Sequence, residues 1–211
     1  MARRALKLAA GSWVPWYAAF VVAANVLPEL AYALLAAGAA VLIVSRRLEP
    51  RLCSPRRAAA SALAIAAAQA PLALLAAPSR PSPLRCAFAA VAAVCEELFF
   101  RGALLPDLGL LPQAFAFALA HTSFTDPVSL VESALLVPHY LLLGVALGLT
   151  AEACGYPASA LAHALYNLLA SLYTLPLDAG AVAALVLGDL APVAALAAAG
   201  KVEKRKPANP P

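Results

Sequence analysis

Long apolar runs, broken only by brief polar or proline-bearing punctuation, make up most of this chain. Cutting at charges, prolines and glycines places them at 12–27, 30–45, 58–77, 86–105, 112–126, 128–150, 155–175 and 179–199. A helix that crosses a bilayer needs about 20 mostly apolar residues, so each run is long enough or nearly so. Pro28 and Glu29 divide the first two, either as a tight turn or as a kink within a tilted hairpin. The stretches SRRLEPRLCSPRR and PSRPSPLR read as loops, and KVEKRKPANPP reads as a polar, disordered tail. The expectation is an all-α fold, a polytopic membrane helix bundle of about eight transmembrane helices. One domain covers 1–200, and the tail covers 201–211.

Composition strengthens that picture. The chain has 211 residues, of which 64% are apolar and only 12% charged, and its mean hydropathy is +0.83. A soluble domain carries about twice that charge. Alanine is frequent enough for helices to approach closely, and in lipid, where no hydrophobic force draws helices together, close contact between small side chains holds a bundle. The net charge of +4 does not indicate nucleic acid, because the basic residues cluster between and outside the apolar runs. Twelve of the fifteen fall in three places: Arg3, Arg4 and Lys7; Arg46, Arg47, Arg51, Arg56 and Arg57; Lys201, Lys204, Arg205 and Lys206. Eight spans put all three on one side, which the positive-inside rule makes cytoplasmic, with both termini there. The N-terminus has the basic start of a signal peptide, but its apolar stretch runs on, so a retained first helix is expected. Cys53, Cys86, Cys95 and Cys154 lack CxxC spacing and read as small apolar filler.

Ionisable residues at membrane depth are costly, and each is a candidate for function. The fourth run carries Glu96, Glu97 and Arg101, the fifth His121, the sixth Glu132 and His139, and the seventh His163 and Asn167. Glu97 and Arg101, four residues apart, share a helix face with the acid on the N-terminal side, the favourable order for an ion pair. Glu96 points about 100° away and must find its partner on another helix. His163 and Asn167 share a face, as do Phe117 and His121. With the topology above, Glu96, His121 and His163 lie at a common depth of roughly 12–15 Å below the cytoplasmic surface. A buried glutamate beside imidazoles has the parts of a general base for water, and an amide with an imidazole can donate to a developing oxyanion. Neither HExxH nor GxSxG occurs. Cys95 beside Glu96 points elsewhere on a helix, in an apolar setting that opposes thiolate formation.

The motifs EELFFRG, FALAH and LLLGVALGLTAEACGYPASALAHALYN, in that order, resemble the CAAX prenyl endopeptidase and bacteriocin-processing family of intramembrane proteases, also called CPBP or Abi. Its EExxxR, FxxxH and HxxxN patterns fall here on Glu96, Glu97 and Arg101; on Phe117 and His121; and on His163 and Asn167. Gly144, Gly148 and Gly155 also follow the family's pattern, and the resemblance covers about residues 85–175. It implies an eight-helix bundle with a conical cavity and removal of the last three residues from a prenylated CAAX terminus, so the partners are a prenylated or otherwise membrane-associated substrate and the bilayer. Glu96 would activate water, His121 would assist, His163 and Asn167 would form the oxyanion hole, and Glu97, Arg101 and Phe117 would support the site. No cofactor is expected. A zinc version of the same chemistry stays open, since Glu96, His121 and His163 could supply one carboxylate and two imidazoles. A proton-coupled transporter would instead predict inverted repeats and broken helices, and a non-catalytic immunity or interaction protein would keep the polar cluster without turnover.

Overall fold

The protein's structure, a computed structural model, describes residues 12–46, 52–70, 75–175 and 178–204. The chain is helical almost throughout: α1 (Val14–Val26), α2 (Pro28–Arg46), α3 (Pro55–Ala67), α4 (Pro83–Glu97), a π-helical segment (Leu98–Leu104), α5 (Leu105–Leu108), α6 (Leu110–Ala120), α7 (Pro127–Leu135), α8 (Val137–Cys154), α9 (Tyr156–Ser171) and α10 (Ala179–Lys204). Two short strands depart from the all-α expectation. β1 (Ala77–Pro78) and β2 (Tyr173–Thr174) pair antiparallel and tie the α3–α4 connection to the α9–α10 connection.

Proline and small polar residues set most boundaries. Ser54 and Ser82 accept hydrogen bonds from the first-turn amides of Arg57 and Arg85, and a proline follows each as the first helical residue. Asp126 does the same for α7, accepting from Val128 and Ser129. The reversals from α5 to α6 and from α8 to α9 each turn on one residue, Gly109 at φ 79° and Gly155 at φ 85°, a left-handed backbone that a Cβ would strain.

The helices do not confirm a count of eight spans. Among the described residues, Val137–Cys154 and Ala179–Gly200 are long and apolar enough to cross a bilayer, while Val14–Val26, Leu30–Ser45 and Leu110–Ala120 are shorter apolar helices. The expected run 128–150 divides into α7 and α8, with Pro138 in the first turn of α8, where a proline's missing amide costs nothing. The run 112–126 ends as a helix at Ala120, so His121 is its C-cap rather than a mid-helix residue. At the other end, α10 runs on to Lys204, into the segment expected to be a disordered tail. Residues 205–211, and the basic cluster at Arg3, Arg4 and Lys7, lie outside the described residues.

Small residues bring the helices together, as alanine richness predicts. α9 packs on α3 and α4, α6 on α8, and α10 on α8. A Cβ on Gly144 would stand 3.1 Å from the Ala114 Cα, and one on Gly188 would meet the Ala68 carbonyl. At the centre sit Phe99, Phe100 and Phe117, all fully buried, with the Phe100 and Phe117 rings edge to face at 5.2 Å. The outer surface carries exposed Phe88, Val91, Phe115, Leu161 and Leu187. Apolar outside and polar within suits a lipid surround. One expectation fails outright: Cys53 and Cys154 form a disulfide, with Cα atoms 4.6 Å apart, while Cys86 and Cys95 are free. The two partners are separated by 101 residues, so no local spacing announces the pairing; it follows from packing the start of α3 beside the end of α8.

Candidate active site

The fourth apolar run delivers its charges at the junction of α4 and the π segment. Glu97 and Arg101 keep their i, i+4 relation across that junction, and the Arg101 Nη1 donates to Glu97 Oε1 at 2.6 Å, both side chains fully buried. Arg101 also donates through Nη2 to the Gly144 carbonyl at 3.2 Å, and its guanidinium lies 4.3 Å from the centre of the Phe117 ring. π turns recur at functional sites, and here one follows directly after the paired acids. Glu97 is saturated: besides Arg101 it accepts from Ser159 Oγ at 2.5 Å, and His163 Nδ1 lies 2.8 Å from its Oε1. Ser159 lies outside the EExxxR, FxxxH and HxxxN patterns. Its hydroxyl sits one turn before His163 on α9, and a serine in a helix gives no signal of its own.

Glu96 has a different environment. It is 4% exposed, and its Oε2 makes no hydrogen bond. The His121 Nε2 stands 3.7 Å from that oxygen and the His163 Nε2 3.9 Å. The tautomers follow from the other ring nitrogens. His121 Nδ1 is 2.8 Å from the Phe117 carbonyl, and His163 Nδ1 faces the Glu97 carboxylate. Both partners only accept, so each Nδ1 carries the hydrogen, and each neutral imidazole presents a bare lone pair at Nε2. Two imidazole lone pairs and a carboxylate oxygen therefore converge with no donor among them. Separations just under 4 Å are too long for a direct hydrogen bond and suit one bridging water.

The structure thus brings Glu96, Glu97, Arg101, Phe117, His121 and His163 together from α4, the π segment, α6 and α9. Asn167 stands one turn beyond His163, with its Nδ2 donating weakly to the Ala89 carbonyl at 3.4 Å. Glu96, His121, His163 and Asn167 all line one cavity of about 290 Å³. A smaller cavity of about 120 Å³, walled by Phe20, Ala24, Ala31 and Ala120, reaches Tyr32, Glu96 and His121 from the α1–α2 side. Glu132 is exposed on α7, away from this group. His139 and Tyr140 line the larger cavity, and the Tyr140 ring stacks on His121 at 4.3 Å. Asp189 and Gln69, outside the three motifs, are both buried at or beside this cavity. An aspartate in a long apolar run is the signal that could have found the first.

Residues 78–169 match the family model Rce1-like, described as type II CAAX prenyl endopeptidase Rce1-like. The motif-bearing segment is similar to an Rce1-like domain. That match spans a little under half of the chain and contains the EExxxR, FxxxH and HxxxN residues. It supports a CAAX-type protease embedded in the membrane and acting on a membrane-associated protein substrate. No curated protein and no solved structure matches the chain.

Proposed function

We propose that the protein is an intramembrane endopeptidase that cleaves near the C-terminus of a prenylated, CAAX-type substrate, with Glu96 as general base. The observation that carries this reading is the buried, unpartnered Glu96 Oε2 opposite two bare imidazole nitrogens. A water held there gives one hydrogen to Glu96 and the other to an imidazole. Its oxygen then attacks the scissile carbonyl while Glu96 takes the proton. The carbonyl oxygen gains the negative charge and draws the Asn167 amide away from its long bond to Ala89, while His163, with its hydrogen on Nδ1, has none at Nε2 to add as the second donor the resemblance implies. Collapse breaks the C–N bond, and the proton on Glu96 passes to the leaving amine, which restores the carboxylate. Glu97, held by Arg101 and Ser159, keeps His163 in its tautomer throughout. The prenyl chain would sit among apolar helix faces, and the peptide would arrive from the side where the basic clusters place the cytoplasm, with both termini on that side.

Glu96, His121 and His163 would offer zinc one carboxylate oxygen and two imidazole nitrogens. Among the described residues no three His, Cys, Asp or Glu side chains are gathered as a metal site, and no step here runs through a metal. The test is cleavage of a farnesylated CAAX peptide by the purified protein with and without a chelator. Glu96→Gln should lower kcat by about 10²–10⁴-fold, the range of a positioned general base. Full turnover by Glu96→Gln would remove the assignment. Loss with chelator and recovery with zinc would replace it by the metal version.

A further inference from the structure

A second polar cluster faces the same cavity and is used by none of the steps above. His139 Nδ1 lies 2.6 Å from Asp189 Oδ2, joining α8 to α10, and the Tyr166 hydroxyl of α9 stands 3.4 Å from His139 Nε2. Just past the end of α3, Gln69 is 4% exposed. Its amide lies beside Tyr166, yet neither amide atom closes a hydrogen bond. His139, Tyr166 and Gln69 all line the 290 Å³ cavity.

From this we infer that His139, Tyr166 and Gln69 form a subsite for the substrate's terminal carboxylate, an inference that rests on the endopeptidase reading. The charge pattern requires such a group. A CAAX-type peptide brings a free α-carboxylate into a cavity that already holds Glu96, and among the described residues no lysine or arginine lines it. Arg101 is fully buried and committed to Glu97. The carboxylate would meet the His139 ring at its Nε2 edge, with Asp189 bracing the ring from behind at Nδ1. The Tyr166 hydroxyl and the unused Gln69 Nε2 hydrogens supply two donors. Reach agrees as well. The Tyr140 ring stands 4.3 Å from His121 and 4.9 Å from His139. The His139 ring therefore lies no more than about 9 Å from the His121 ring, within the roughly 10 Å that three extended residues span. A leaving group of three residues would end at His139.

The experiment compares a farnesylated CAAX peptide as free acid and as C-terminal amide. The full-length protein should show a KM for the acid at least tenfold below that for the amide, and the free-acid tripeptide product should inhibit where its amide does not. His139→Gln, or the volume-conserving Tyr166→Phe should the first fail to fold, should raise the acid KM toward the amide value, with kcat changed much less. Equal KM values for acid and amide in the wild type would overturn the subsite, as would a variant that raises both KM values alike. Cleavage of neither peptide would instead remove the endopeptidase reading, and the subsite with it.

Discussion

The buried Glu97–Arg101 pair makes an asymmetric prediction. Removing one partner of a buried ion pair costs about 3–5 kcal/mol, because the other charge is left uncompensated. The two survivors here differ. Without Arg101, Glu97 keeps two hydrogen-bond donors, Ser159 at 2.5 Å and His163 at 2.8 Å. Without Glu97, Arg101 keeps one carbonyl at 3.2 Å and the Phe117 ring, and its Nε has no partner. Glu97→Gln should therefore cost about 4–5 kcal/mol and Arg101→Met about 3 kcal/mol. At 2.6 Å and an effective dielectric near 20, the attraction between unit charges is roughly 6 kcal/mol. A coupling of about 3 kcal/mol or more should appear in the double-mutant cycle. The measurement is equilibrium unfolding in detergent mixtures of rising denaturing fraction, read by the fluorescence of Trp13 and Trp16, which pack against the core. Additive costs, or an Arg101→Met variant less stable than Glu97→Gln, would refute the account.

Two further outcomes follow from the geometry. Asn167→Ala should lower kcat on the farnesylated peptide by about 10²–10³-fold, as loss of one oxyanion donor does, with KM nearly constant; a change confined to KM would move Asn167 from the transition state to substrate binding. Gly144→Val should cost about 1–3 kcal/mol through overpacking, because its Cβ would press on the Ala114 backbone and shift the carbonyl that accepts Arg101. An unchanged thermal midpoint in detergent would show that α6 and α8 tolerate separation.

The apolar runs, the charge clusters and the three motifs sufficed to predict a helical membrane protein and to name Glu96, Phe117, His121, His163 and Asn167, which line one cavity. These are local properties: apolar length, i, i+4 spacing and the cost of a charge in lipid act within one segment. The Glu97–Arg101 pair was legible for that reason, and so was the need of Glu96 for partners from another helix. Other features depend on segments far apart in the chain, and only tertiary packing decides them. Cys53 meets Cys154, Ser159 locks Glu97, and Asp189 stands behind His139 because particular helix faces were brought together through glycine and alanine contacts. The number of full-length spans was also beyond reach from hydropathy. A proline or a cap residue decides whether an apolar run is one helix or two, as at Leu136, or ends early, as at His121.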